Sequence, residues 1–157
     1  MAVAAGATVY VTSSSDEKLK RARELGAAAG FNYTRKEWSV ELKAEAGGVD
    51  LIVDSAGGEG YEAVVNLSAP GGRIVSYGAT TGLPKKLDLF KIFWKQIRLI
   101  GTTMGSPEDF EEMIEFVAMH KIAPTIDRVV ALSDGGTAVE RMRESPQFGK
   151  IVLDCQE

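Results

Sequence analysis

Short apolar runs alternate with amphipathic segments along most of the chain. β-branched and aromatic residues enrich these runs, which is typical of strands, and we predict strands at Thr8–Thr12, Gly30–Tyr33, Asp50–Asp54, Arg73–Tyr77 and Ile97–Gly101. Helices are predicted between them, ending at Gly26 and spanning Ser39–Ala46 and Gly60–Ser68. This alternation predicts an α/β fold, a doubly wound parallel sheet flanked by helices.

Local signals refine the ends and the burial of some elements. Ser14 and Glu17 have the spacing of a capping box, and Pro70-Gly71-Gly72 predicts a turn. The run Asp50–Asp54 is typical of a parallel strand that is buried on both faces. A further helix opens with Ser106 as N-cap and Pro107 at its first position. Its expected core face consists of Phe110, Met113, Ile114 and Val117.

The pattern changes after Pro124, where we predict a strand, a helix and a final strand at Arg128–Leu132, Gly136–Glu144 and Lys150–Asp154. We therefore divide the chain into a sheet domain, residues 1–123, and a tail, residues 124–157. The tail is too short for a core of its own. We expect it to pack on the sheet domain or to belong to a partner domain.

Composition narrows the class of protein. A chain of 157 residues suits one domain with a buried core, and its net charge of -4 argues against nucleic acid or an anionic membrane as partner. No apolar run approaches the roughly 20 residues of a membrane span. The single cysteine, Cys155, excludes a disulfide framework and predicts a reducing, cytoplasmic setting.

Loops that follow the strands of a doubly wound sheet are where ligands bind. The candidates in these loops are Ser13, Ser14, Ser15 and Lys18, then Ala56 and Gly57, then Gly78, Ala79 and Thr80. Each set has a structural alternative. The serines can simply cap a helix, and the glycines can make a tight turn as readily as admit a flat ligand.

No catalytic or metal-binding group stands out in the sequence. With one histidine, His120, and one cysteine, Cys155, the chain cannot assemble a Cys/His zinc site, so we expect it to bind no zinc. Asp54 is interpreted as a cap at the end of its strand. Neither a G-x-G-x-x-G opening a helix nor a P-loop sequence is present, and we assign no catalytic residue.

An ordered set of segments carries a family resemblance. The segments are ATVYVTSSSDEKLKRARELGA, GFNYT, GGVDLIVDSAGGEGYEAVVNLSAPGGRIVSYGATTG, KQIRLIGTTMGSPEDFEEMIEFV and FGKIVL. Together they resemble the medium-chain dehydrogenase/reductase superfamily, in its quinone-oxidoreductase and zinc-type alcohol dehydrogenase-like branch. The resemblance implies a Rossmann-like NAD(P)-binding domain in residues 1–123.

The resemblance also implies roles toward the adenosine end of a nucleotide cofactor. Ser13 falls where NAD-using members carry an acid for the ribose. Ser14, Ser15 and Lys18 match the segment that holds the 2′-phosphate in NADP-using members, and Tyr33 matches a tyrosine near the adenosine phosphate. These matches predict NADP(H) in preference to NAD(H).

Further roles follow for the rest of the cofactor. Ala56 and Gly57 would line its groove, Gly78–Thr80 would lie near the nicotinamide, and Lys150 matches a basic position that can approach the pyrophosphate. The resemblance implies that a central strand, its Gly-rich turn and the catalytic domain with most of the substrate pocket are absent from this sequence. We therefore expect the chain to be inactive alone.

Sheet edges predict a homo-oligomer. By the resemblance, the absent strand lies between Thr8–Thr12 and Asp50–Asp54, so its loss exposes two rows of backbone groups that invite pairing with another chain. Ile97–Gly101 should form a further edge, which pairs across the interface in related dimers. The alternative is that Thr8–Thr12 and Asp50–Asp54 close up directly.

Three functions remain open from the sequence. The first is the cofactor-binding portion of an oxidoreductase that transfers hydride to or from a small carbonyl, alcohol, enone or quinone. The second is an S-adenosylmethionine-type methyltransferase, which shares the alternating pattern but usually has an acid where Ser13 stands. The third is a non-catalytic, oligomerising Rossmann-like module.

Overall fold

A computed structural model describes residues 1–156, in which strands and helices alternate as predicted. The strands are β1 (Tyr10–Ser13), β2 (Ala29–Asn32), β3 (Val49–Asp54), β4 (Ser68–Ser76), β5 (Arg98–Gly101), β6 (Ile126–Ala131) and β7 (Lys150–Asp154). The helices are α1 (Asp16–Glu24), α2 (Trp38–Ala46), α3 (Tyr61–Leu67), α4 (Leu89–Trp94), α5 (Pro107–Met119) and α6 (Gly135–Glu144), with a 3-10 turn at Leu132–Asp134.

The chain forms two compact units, one made of Gly6–Ser106 and the other of the residues from Pro107 onward, with the first few residues divided between them. The division falls before α5, whereas the change in sequence pattern lies after it, near Pro124. Whether the tail belongs to a catalytic domain stays a prediction.

Two parallel sheets make up the first unit. β1 pairs with β2, and β3, β4 and β5 form a three-stranded sheet with β4 at its centre. In the described residues β1 and β3 share no ladder, so the alternative in which they close up directly is wrong. One edge of β1 and one edge of β3 therefore remain without a strand, and β5 is an edge strand as predicted.

Helix α3 supplies the core of the three-stranded sheet. Tyr61 and Val65 of α3 pack with Ile74 of β4 and Ile97, and all four are buried. Ile74 is fully buried because β4 is the central strand. Tyr61 also places its hydroxyl 3.2 Å from Ser76 Oγ at the end of the same strand.

Two predicted burials are wrong. β3 is covered on one face only: Ile52 packs against the core, whereas Leu51 is 46% exposed and Val53 is 62% exposed. The four predicted core residues of α5 are also not buried, and Phe110 is 61% exposed. An apolar pattern identifies the face that can be buried, but burial requires another element to lie against that face.

Two local expectations also need correction. The N-cap of α1 is Ser15 rather than Ser14, because Ser15 Oγ accepts a hydrogen bond from the Lys18 N–H at 3.3 Å. Pro70-Gly71-Gly72 does not precede its strand but lies within β4. The pairing of β3 with β4 shifts register at this point, so the strand accommodates the turn residues as an irregularity.

In the second unit, β6 and β7 form a parallel pair with α6 beside them. The side chain of Asp127 in β6 is 8% exposed and accepts hydrogen bonds from Arg141 Nε at 2.9 Å and Nη2 at 3.1 Å. The Phe148 N–H donates to the same carboxylate at 3.1 Å. The Arg141 guanidinium, together with this N–H, holds the pKa of Asp127 well below its usual range.

Asp127→Asn is expected to destabilise the protein at neutral pH. A carboxyl whose pKa is lower in the folded chain stabilises the fold fully above its unfolded pKa of about 4, and this contribution disappears as pH falls through the folded pKa. The difference between wild type and variant should therefore shrink below about pH 4. Urea unfolding at several pH values measures it. Glu140→Gln, which removes an exposed acid of α6, serves as control and should have little effect. An unchanged difference at low pH would contradict this assignment.

Candidate functional site

The carboxyl ends of β1 and β2 lie side by side, because Ser13 pairs with Asn32 in the parallel register. Ser13 Oγ accepts a hydrogen bond from the Ser15 N–H at 3.2 Å, which tightens the turn into α1. The Tyr33 N–H donates to the Ser13 carbonyl at 3.1 Å. The carboxyl ends of these two strands, called the β1–β2 edge below, therefore carry the first group of predicted residues. These are Ser13, Ser14, Ser15, Lys18 and Tyr33.

Asn32 and Arg35 belong to the same edge, although sequence reasoning did not select them. Asn32 Nδ2 donates to the Ser14 carbonyl at 3.2 Å and to Asp16 Oδ1 at 2.9 Å. Arg35 Nη2 donates to Asp16 Oδ2 at 2.8 Å. The only signal in the sequence was that Arg35 closely follows Tyr33, so the network becomes visible only once β1 and β2 are paired.

The loops after β3 and β4 carry the second group. Thr80 and Thr81 donate their backbone N–H groups to the carbonyls of Ser55 and Ala56 at 3.1 and 2.9 Å. The Gly58 N–H donates to the Gly82 carbonyl at 2.8 Å, which closes the pairing. The structure thus brings together the residues predicted here, namely Ala56, Gly57, Gly78, Ala79 and Thr80.

The side chain of Asp54, the last residue of β3, stabilises the first of these two loops. Its carboxylate accepts hydrogen bonds from the N–H groups of Ala56 at 3.4 Å and Gly57 at 2.9 Å. The prediction that Asp54 caps its strand is therefore confirmed. Side-chain and backbone hydrogen bonds together hold the loop after β3. The carboxyl ends of β3 and β4 with their loops, called the β3–β4 edge below, therefore have a fixed backbone surface.

Glycine is required at two positions of this surface. Gly57 has a φ of +66°, and a Cβ there would lie 2.6 Å from the Gly82 carbonyl oxygen. A Cβ at Gly78 would lie 2.9 Å from the Ser55 carbonyl oxygen. Both loops approach each other more closely than any side chain permits, so the glycines do make a tight turn here, and ligand binding remains an additional role to be tested.

Gly57→Ala is expected to lower the free energy of unfolding by roughly 1–3 kcal/mol, because alanine is strained at positive φ and its Cβ meets a backbone oxygen. Gly60→Ala is the matched control. Gly60 has a φ of -66° and open space around its missing Cβ, so alanine should be tolerated there. Urea unfolding midpoints compare the two variants, and equal midpoints would refute the steric account.

Lys150, the last predicted residue, begins β7 in the second unit and is exposed. Its N–H donates to the Thr125 carbonyl at 2.8 Å. It therefore belongs to neither of the two loop groups of the first unit, and its approach to a pyrophosphate stays a prediction.

Within residues 1–156, no three His, Cys, Asp or Glu side chains cluster in a way that could hold a metal ion. In the same residues, no helix is both long and apolar enough to cross a membrane.

Parallel strands, helical crossovers and loop groups at the carboxyl ends of the strands define a Rossmann-like α/β domain. The sequence profile of the zinc-binding dehydrogenases matches residues 1–119. The chain belongs to this family, as the resemblance to medium-chain dehydrogenases and reductases predicted.

Individual relatives support the family assignment. The chain is 41% identical over 162 residues to the zinc-type alcohol dehydrogenase-like protein YogA of Leptosphaeria maculans, covering 97% of the chain and 45% of that protein. It is 32% identical over 161 residues to the zinc-type alcohol dehydrogenase-like protein C1773.06c of Schizosaccharomyces pombe, covering 97% and 46%. The crystal structure of an NAD-dependent alcohol dehydrogenase superposes with a TM-score of 0.86 at 34% identity, covering 95% and 44%. The chain therefore spans less than half the length of these relatives.

Proposed function

We propose that the chain is the cofactor-binding portion of an NADP(H)-dependent oxidoreductase that acts on a small carbonyl, alcohol, enone or quinone. The observation that carries the proposal is Ser13 at the end of β1, next to the first turn of α1. An acid at this position would bind the ribose 2′-hydroxyl and repel a 2′-phosphate. Serine removes that repulsion.

The surroundings of Ser13 suit a phosphate. Ser14 and Ser15 bring further hydroxyl groups, and the first turn of α1 presents backbone N–H groups with the positive end of the helix dipole. Lys18 lies in the same turn. The solved relative is an NAD-dependent alcohol dehydrogenase, so the residues around Ser13 alone support the proposed preference for NADP(H).

The β3–β4 edge suits the flat nicotinamide end of such a cofactor. Gly57 and Gly78 have no Cβ where the two loops meet, so the loops approach closely and form one backbone surface on which a flat ring would lie. A bound nicotinamide would supply the hydride chemistry, while this edge would hold and orient it. No residue of the chain is assigned to catalysis, so we propose that the 157 residues alone carry no dehydrogenase activity.

The relatives favour this function over a methyltransferase, because those with named activities are dehydrogenases and reductases such as crotonyl-CoA reductase of Streptomyces avermitilis. We also propose a homo-oligomer formed through sheet edges, and a cytoplasmic location on the evidence of the single cysteine.

Titration of the full-length protein with NADPH, NADH and S-adenosylmethionine tests the proposed function. Saturable binding of NADPH, weaker binding of NADH and none of S-adenosylmethionine is the expected result. Isothermal calorimetry measures all three affinities under the same conditions. Binding of S-adenosylmethionine alone would identify a methyltransferase, and binding of none of the three would favour the non-catalytic module.

A further inference from the structure

Asp16 is an obstacle to phosphate binding at the β1–β2 edge. It occupies the first position of α1, directly after Ser13, Ser14 and Ser15. A carboxylate suits the helix dipole there, but it places a negative charge beside the proposed 2′-phosphate position. Repulsion between the two negative charges would weaken the binding of that phosphate.

Both oxygens of the Asp16 carboxylate accept a hydrogen bond. Asn32 Nδ2 donates to Oδ1 at 2.9 Å and Arg35 Nη2 donates to Oδ2 at 2.8 Å. Arg35 is held at this place by its own backbone, because its N–H donates to the Asn32 carbonyl at 3.1 Å and closes a turn. The side chains of Asp16 and Arg35 are 63% and 62% exposed, so their charges act on whatever binds at the surface.

We infer that Arg35 is a specificity-determining residue for the adenosine end of the cofactor, which neutralises Asp16 so that this edge accepts a 2′-phosphate. The inference rests on the proposed preference for NADP(H). Asn32 positions the pair: it anchors Asp16 by its amide and the turn that carries Arg35 by its carbonyl.

A role in stability is the competing explanation for the pair. Exposed ion pairs contribute little to stability, and both side chains are largely exposed. The hydrogen bond from Asn32, reinforced by the charge of Arg35, lowers the pKa of Asp16, so this acid stays ionised at neutral pH and must be balanced rather than protonated. The pair thus changes the local charge without being needed for the fold.

Two nucleotides that differ only in the position of the phosphate test the inference on the 157-residue chain. Binding of 2′-AMP and 5′-AMP is measured by NMR titration at low ionic strength, where surface charges are least screened. Arg35→Gln should weaken 2′-AMP by roughly three- to tenfold and leave 5′-AMP nearly unchanged. Asp16→Asn should strengthen 2′-AMP, and the double variant should bind it about as well as the wild type.

Arg143→Gln is the matched control, because it removes the same charge from another exposed ion pair, in which Arg143 Nη1 donates to Glu140 Oε1 at 2.8 Å. It should leave the ratio of the two affinities unchanged. Suppose that the wild-type chain prefers 2′-AMP, but Arg35→Gln weakens both nucleotides equally or weakens neither. This result would overturn the role of Arg35 and leave the proposed NADP(H) preference intact. Equal binding of both nucleotides by the wild type would overturn the NADP(H) preference and the inference with it.

Discussion

Ser13→Asp is expected to weaken NADPH binding by the full-length protein on the order of tenfold to a thousandfold, with little loss of NADH binding. Charge-assisted hydrogen bonds to a phosphate contribute about 1.5–3 kcal/mol each, and the new acid would both displace one or two of them and repel the phosphate. Its carboxylate would instead accept the ribose 2′-hydroxyl of NADH. Fluorescence titration with both cofactors measures the change in their affinity ratio.

Two control variants change the charge of the protein at positions away from Ser13. Ser39→Asp adds the same charge in α2 and should leave the ratio unchanged. Lys18→Ala should weaken NADPH more than NADH, whereas Lys43→Ala, which removes the same charge from α2, should not. If the wild type binds both cofactors equally and neither Ser13→Asp nor Lys18→Ala alters the ratio, the assignment of this loop is wrong.

Self-association at micromolar concentration is the second expected result of large effect. The three-stranded sheet ends at β3 and β5, and unpaired strand edges are templates for pairing with another chain. Sedimentation velocity should therefore show species heavier than the 16.9 kDa chain, in proportions that rise with concentration. A clean monomer across this range would contradict the proposal.

A proline substitution at the free edge of β5 tests whether this edge pairs with another chain. The Thr102 N–H donates to the Ser76 carbonyl of β4, and because successive residues of a strand face opposite sides, the Leu99 N–H points to the free edge. If β5 is the pairing edge, Leu99→Pro should reduce association while the ladder with β4 persists. Ile100→Pro removes an N–H that faces β4, so it should destabilise the fold and serves as the contrasting variant.

The same alternation applies to β3. Its last carbonyl, that of Asp54, accepts a hydrogen bond from the N–H of Tyr77, the residue directly after β4, so the backbone of Val53 faces the open edge. Val53→Pro should reduce association if β3 is the pairing edge, whereas Leu99→Pro should do so if β5 is. Comparing the two variants by sedimentation assigns the interface to one edge or the other.

Local patterns in the sequence determined the order and type of the elements. β-branched runs such as Asp50–Asp54 formed strands, and the helix opened by Pro107 began there, because both signals act over a few residues. The role of Asp54 as a cap was likewise predictable, since a carboxylate at a strand end reaches the next N–H groups of its own chain.

Tertiary structure alone decided burial, sheet division and the partners of Asp16. Val53 is apolar yet exposed, because burial depends on which element covers a face and not on the residue itself. Likewise, Asp16 and Arg35 are 19 positions apart in the sequence and meet only because the parallel pairing of β1 and β2 brings their carboxyl ends together. The sequence alone thus placed serines and a lysine at the β1–β2 edge, while the charge balance at that edge was set by contacts that no local pattern encodes.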